Sequence, residues 1–357
     1  MWQRLVIGLA LSCSILMAAD PYRAKWISVA DRLITVAPET FAYNWGEGVQ
    51  QIGLMKVYER TREKKYLDWM KRWTALYEGK DTRELLNVSE KPWGGEHSAY
   101  CGHWSPATAI LLLYRAAPQG RYLEIAEGTA EFISKQAERS PEGGLGHWKG
   151  SHQLWVDTLY MACPLLSALG RKEYVEDSAG QIVTYAKHLQ DADTGLFYHM
   201  WDWETRQRTA GLWGRGNGWV MMSIADTMEA LGGKHAGLKK VLEAQVRGLE
   251  KTQDAEGFWH TVMDDAGSYA ECSATSMVVY GVLKLVRLGV LPAEKAGMAM
   301  KAWKAVNERY VKDGLVTGVS TGTVPKGQEY YRKLKAGTET WGTGAYLLAG
   351  SEVDRRK

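Results

Sequence analysis

Apolar residues recur at three- and four-residue spacing along most of this chain, and that pattern predicts helices almost throughout. Over residues 66–77 they fall at Tyr66, Trp69, Met70, Trp73, Leu76 and Tyr77, which gathers them on one face of a 3.6-residue turn. Residues 107–117, 122–136, 158–169, 174–189, 218–231 and 273–288 keep the same spacing. Strand-like alternation is rare and short. The expected class is all-α.

The helices recur in pairs. Lys64-Lys65-Tyr66, Gly120-Arg121-Tyr122 and Lys172-Glu173-Tyr174 each open a helix after a turn, roughly 52–56 residues apart. Further on, Leu189-Gln190-Asp191 leads to Gly195-Leu196-Phe197, and Thr252-Gln253-Asp254 leads to Gly257-Phe258-Trp259. Lys312-Asp313-Gly314-Leu315 follows. A repeat of about 55 residues is one helical hairpin plus a loop, and self-similarity at such a period marks a repeat architecture. Six units fill residues 20–357. Closed into a ring, they make an (α/α)6 barrel, a six-hairpin toroid whose loops line a cleft at one end. An open superhelix of helix pairs is the alternative. Pro and Gly are nowhere concentrated into a linker, so residues 20–357 read as one domain.

Residues 1–19 have the layout of a secretory signal peptide: Arg4, then an apolar run over 5–17, then Ala18 and Ala19. The run is short for a membrane span, and Cys13 is poorly placed for lipid attachment. The expected location is periplasmic or secreted. Cys101, Cys163 and Cys272 remain, too few and too scattered for a disulfide framework. Cys163, before Pro164, reads as a buried small hydrophobe, Cys272 could line a cleft, and a Cys101–Cys272 bridge is open. No Cys-x-x-Cys or His-Glu-x-x-His is present, so no metal is expected. The net charge of +3 and the absence of a long basic run point away from nucleic acid. Composition is unusual in one respect: 16 Trp and 18 Tyr against 4 Phe. Flat apolar faces with a polar tip suit sugar rings as well as cores.

Candidate chemistry concentrates in His147-Trp148-Lys149-Gly150-Ser151-His152-Gln153-Leu154-Trp155-Val156-Asp157-Thr158-Leu159-Tyr160-Met161. Asp157 is a lone carboxylate among Trp148, Leu154, Trp155, Val156, Tyr160 and Met161. Burial among such neighbours raises a carboxyl pKa and suits it to hold and deliver a proton. The alternative is an Asp that caps the following helix. A second cluster, Trp213-Gly214-Arg215-Gly216-Asn217-Gly218-Trp219, interleaves glycines with an Arg fork suited to a carboxylate and two stacking faces.

With Trp45-Gly46-Glu47-Gly48-Val49, His199-Met200-Trp201, Tyr269-Ala270-Glu271-Cys272-Ser273-Ala274-Thr275 and Gly342-Thr343-Gly344-Ala345-Tyr346-Leu347-Leu348-Ala349, these clusters make the chain resemble the unsaturated rhamnogalacturonyl hydrolases of glycoside hydrolase family 105, relatives of the unsaturated glucuronyl hydrolases. The resemblance covers residues 20–357 almost entirely. It implies an (α/α)6 barrel without cofactor, acting as monomer or homodimer. The implied substrates are oligosaccharides ending in a 4,5-unsaturated galacturonyl or glucuronyl residue. It implies Asp157 as general acid/base for hydration of the C4=C5 double bond. His147 and His199 would contact hydroxyls or water, Arg215 the uronate, and Trp45, Trp155, Trp213 and Trp219 would form stacking walls. His188 and His235 read as structural or exposed.

The chain departs from that family in two places. A second, substrate-binding aspartate is expected just before Ser105-Pro106-Ala107, but Cys101-Gly102-His103-Trp104 stands there, with His103 in that place and Asp81 or Glu96 as compensating carboxylates. The stretch from His147 to Asp157 is also one residue short. Two other readings stay open: a two-carboxylate glycosidase on a saturated uronide, with Glu47 or Glu271 as partner to Asp157, and a sugar-binding protein without turnover.

Overall fold

The computed structural model describes residues 20–88 and 98–356. The expected signal peptide with Cys13, and Glu96, lie outside them. In chain order the helices are α1 (Arg23–Leu33), α2 (Trp45–Thr61), α3 (Lys64–Ala75), α4 (Thr82–Leu85), α5 (Ser105–Ala116), α6 (Gly120–Lys135) and α7 (Val156–Leu169). Then come α8 (Lys172–Leu189), α9 (Gly214–Ala230), α10 (Ala236–Thr252), α11 (Cys272–Arg287), α12 (Ala296–Arg309), α13 (Gln328–Arg332) and α14 (Thr340–Asp354). Three short antiparallel ladders decorate them: β1 (Gln153–Trp155) with β2 (Met200–Asp202), β3 (Val311–Lys312) with β4 (Leu315–Val316), and β5 (Val319–Ser320) with β6 (Ala336–Gly337).

Helices α2, α5, α7, α9, α11 and α14 pack each on the next, and α14 packs on α2, so the inner ring closes. Helices α3, α6, α8, α10 and α12 each follow and pack on an inner helix, while α1 covers α14 and α2. This is the all-α six-hairpin toroid expected from the repeat, with the two ends of the chain completing the sixth hairpin.

Burial separates the two layers. Inner α11 is buried at every position from Cys272 to Leu285, as a helix surrounded by protein must be. Outer α3 buries one stripe, Tyr66, Leu67, Trp69, Met70, Trp73 and Thr74. Leu76, expected on that stripe, falls just past the helix end and is exposed. The ring closes through glycine: a Cβ at Gly344 would stand 2.4 Å from the Val49 carbonyl oxygen, so α2 and α14 approach at backbone contact.

The recurring Asp and Gly after outer helices have a common job. Asp254 Oδ1 accepts from the N–H groups of Gly257 and Phe258 at 2.7 and 2.8 Å, and Asp191 Oδ1 accepts from Thr194 at 2.9 Å. Each closes the turn that sends the chain back toward the next inner helix. Trp45, Asp157, Arg215 and Trp341 all fall in the first turn of an inner helix. The loops that precede those helices gather at one end of the ring.

Candidate functional site

A cavity at that end, with an empty volume of about 340 Å³, is lined by Trp45, Tyr100, His147, Trp155, Asp157, Met161, Arg215 and Thr323. Among these, Asp157 is the one carboxylate. It stands at the second position of α7, where the helix dipole favours an anion, but it makes no capping bond. The capping alternative is thereby removed.

His199 reaches Asp157 from the strand side. The β1–β2 ladder pairs Trp155 with Met200, and the Val156 N–H donates to the His199 carbonyl at 3.0 Å, which brings the ring over the start of α7. Nε2 of His199 lies 3.1 Å from Asp157 Oδ2. The approach is off the line of an ideal hydrogen bond, and neither atom has another partner, so the pair is close but not saturated. On its other side His199 Nδ1 is 3.1 Å from the Tyr331 hydroxyl, whose oxygen accepts from the Lys326 N–H at 3.0 Å. The ring is clamped against Trp213, centroids 4.1 Å apart. A lone pair on Nε2 would repel the carboxylate. Nε2 therefore carries the proton, and the Tyr331 hydroxyl donates to Nδ1.

Charge tuning here reverses the expectation from sequence. Burial pushes the Asp157 carboxyl up, but the hydrogen bond from His199 and the positive potential of His199, His147 and Arg215 outweigh it and leave it below the usual aspartate value. His199 is also lowered: burial dominates, against the pull of Asp157. At neutral pH Asp157 is thus an anion and His199 a neutral donor.

His147 is buried and stacks on Trp155 at 4.0 Å. Its Nδ1 sits 2.7 Å from Thr158 Oγ1 and 3.2 Å from Cys101 Sγ. Burial pushes the Cys101 thiol up, so it stays protonated beside the ring. Cys101, Cys163 and Cys272 are all buried free thiols, which removes the Cys101–Cys272 bridge and takes Cys272 out of any cleft.

Arg215 lines the cavity, but its fork is already engaged. Nη1 donates to the carbonyl and hydroxyl of Ser320, and Nη2 donates to Thr321 O at 3.1 Å and Thr323 Oγ1 at 2.8 Å. Only Nε is left without a partner. The guanidinium straps residues 320–323 across the cavity and contributes a fixed positive charge. A bidentate grip on a uronate is not available to it.

Trp45 and Trp155 form walls as expected, Trp45 backed by Trp341 at 4.3 Å. Trp213 and Trp219 do not. Both are fully buried behind the wall, Trp213 under His199 and Trp219 stacked on Tyr160 at 5.3 Å.

His103 ends the 3-10 turn Cys101–His103 and packs edge-on to Tyr100; it is Tyr100, not His103, that lines this cavity. A Cβ at Gly102 would lie 2.3 Å from Tyr100 Cε1, so the phenol ring occupies the space a side chain at 102 would need. Asp81 does not compensate: it forms a capping box with Glu84 at the start of α4. His235 caps α10, and His188 sits on outer helix α8.

Neither proposed second carboxylate lines the cavity. Glu271 is buried and saturated, accepting from Ser273 Oγ, the Ala274 N–H and the Ser320 N–H. Residues that sequence reasoning missed are Tyr100, Thr323 and Tyr331. The last two come from an irregular polar stretch with no periodic signal.

A sequence profile of the family described as Glycosyl Hydrolase Family 88 matches residues 22–357. The chain is 30% identical over 352 residues to the unsaturated rhamnogalacturonyl hydrolase YesR of Bacillus subtilis (strain 168), covering 93% of this chain and 96% of that protein. Among solved structures it is similar to a possible member of the GH105 family from Salmonella enterica, with a TM-score of 0.83 and 27% identity over 96% of both chains. The unsaturated glucuronyl hydrolase of Bacillus sp. GL1 shares the fold, with a TM-score of 0.69 at 16% identity over 91% of this chain and 94% of that one.

Proposed function

Because the chain belongs to glycosyl hydrolase family 88 with its family 105 relatives, and is thus a glycoside hydrolase, we propose that it removes a terminal 4,5-unsaturated uronic acid from oligosaccharides by hydrating the C4=C5 bond, with Asp157 as general acid and base. The observation that carries this reading is the cavity with one carboxylate. Ordinary glycosidases work with two acids flanking the scissile bond. An unsaturated uronide needs only one, because its double bond is an enol ether.

Asp157 gives a proton to C4, and positive charge develops at C5 and the ring oxygen. The same carboxylate then takes a proton from the water that adds to C5. The hemiketal opens and expels the rest of the saccharide. With His199 Nε2 standing 3.1 Å from Oδ2, Oδ1 is the oxygen left to carry the transferable proton. Trp45 and Trp155 supply faces for the sugar, and His147 and Thr323 supply polar contacts at its edge. Arg215 offsets the substrate's charge from behind.

An anionic Asp157 fits this scheme. An arriving uronate carboxylate displaces water and adds negative charge close by, and both raise the Asp157 pKa. Binding the substrate thus charges the acid with its proton.

The test is loss of absorbance near ~235 nm, where the conjugated enol ether absorbs, on lyase-generated oligosaccharides. Loss with wild type and not with Asp157→Asn supports the reading. No loss on galacturonan, rhamnogalacturonan or glucuronan fragments overturns it.

A further inference from the structure

The β1–β2 ladder has two faces, and only one serves the reaction cavity. Trp155 and Gln153 point inward with Met200 and Asp202, as the 3.3 Å contact of Gln153 Nε2 with Asp202 Oδ2 shows. Alternation puts Trp201 on the opposite face, and Trp203 follows in the turn just past β2. There they line a second groove with Pro141, Glu142, His188 and Arg206, whose empty volume of about 830 Å³ exceeds that of the reaction cavity.

This groove is prepared for a ligand. The His188 ring stacks under Trp201 at 3.7 Å and 10°, and its Nε2 is held by Glu142 Oε2 at 3.1 Å, so the indole is a fixed shelf. Trp201, at the centre of β2, and Trp203, in the turn just past it, bring two indoles to the same groove. Some buried tryptophans donate their N–H to backbone carbonyls, Trp26 to Leu347, Trp69 to Val36 and Trp259 to Leu249, while those of Trp104, Trp213 and Trp219 are buried without a partner. Among the described residues, the indole N–H groups of Trp201 and Trp203, the Arg206 guanidinium and Glu142 Oε1 have no such partner. Arg206 also stands at a positive φ of 58°, projecting from an exposed turn.

We propose that this groove is a second carbohydrate site, separate from the reaction cavity, that holds a segment of acidic polysaccharide. Pyranose faces rest on Trp201 and Trp203, a uronate carboxylate pairs with Arg206, and Glu142 accepts from a hydroxyl. The site rests on the saccharide chemistry of the family and not on the role of Asp157. It would keep the protein on the polymer that supplies its short substrates.

The experiment is native electrophoresis through gels with and without de-esterified galacturonan, a polymer with no unsaturated end for Asp157 to attack. Wild type should be retarded. Trp203→Ala and Arg206→Ala should each weaken retardation by about tenfold while hydrolysing an unsaturated disaccharide within about twofold of wild type. Should Trp203→Ala not fold, Arg206→Ala, on an exposed turn, decides. The proposal fails if wild type is not retarded, if both variants are retarded equally with it, if a neutral glucan retards it as strongly, or if retardation and disaccharide hydrolysis fall together. A failure of the hydration reading shows only in the disaccharide assay, so the two remain distinguishable.

Discussion

The two ends of the inner ring each bury charge, and they do so in opposite ways. At the open end Asp157, His199 and Arg215 surround a cavity. The His199–Asp157 contact is off-line, and Arg215 Nε is unpartnered. At the other end Lys284, buried on α11, meets Asp226 at 2.6 Å and Glu229 at 2.8 Å, and the Tyr280 hydroxyl donates to Asp226 at 2.6 Å. Asp226 and Glu229 raise the Lys284 pKa against a burial effect that would lower it. Similar residue types thus give a mutually paired charge cluster beside a pocket of its own at one end and an unsaturated site at the other. Chemistry belongs where buried polar groups lack a partner that a substrate can supply.

The sharpest test exchanges function for stability. Asp157→Asn should cut hydration of an unsaturated disaccharide by about 10²–10⁴-fold, the usual weight of a general acid, with no loss of thermal stability. Lys284→Met should do the reverse. It strands the largely buried Asp226 without its cation and leaves Glu229 with Arg287 alone, which costs on the order of 3–5 kcal/mol in chemical denaturation. The kcat of the folded fraction should stay at the wild-type level. A large kcat loss in Lys284→Met would mean that the two ends communicate.

The same contrast explains what was legible in the sequence. Helices such as α3 and α11 announce themselves through spacing, and the repeated Asp–Gly turn after outer helices gives the ring its count. Asp157 stood out because its aromatic neighbours lie within a few residues. Its charge state did not, because sequence reveals burial but not the ring of His199, 42 positions away, that reverses its effect. Arg215 was found but misread: the four acceptors on Ser320, Thr321 and Thr323 lie more than 100 positions along. Trp213 and Trp219 looked like sugar platforms, yet the cap of α9 and its second turn bury them inside the ring. Tyr331 gave no signal, since it sits in a five-residue helix inside a polar loop.

Tyr331 offers a finer probe of the open end. It does not line the cavity; it holds the His199 ring and its tautomer beside Asp157. Tyr331→Phe removes the donor to Nδ1 and keeps the packing on Trp213. We expect kcat to fall about tenfold, the worth of one buried hydrogen bond, with KM little changed and the pH profile displaced. A rise in KM at constant kcat would make Tyr331 part of the sugar pocket instead.

The smallest effect tests the paired end through pH. Burial would raise the Glu229 carboxyl, but the charge of Lys284 and hydrogen bonds from Lys284 and Arg287 lower it to about 2. Its folded value lies below its unfolded value, so the stabilisation is complete above the unfolded pKa. It drains away as pH falls toward about 2. The side chain is 45% exposed, so screening holds its worth to no more than about 1 kcal/mol. Melting temperatures of wild type and Glu229→Gln should therefore differ modestly at pH 6 and converge as the pH is lowered through the carboxylate range. A gap that persists at low pH would show that shape and packing at Glu229, not its charge, stabilise that end of the ring.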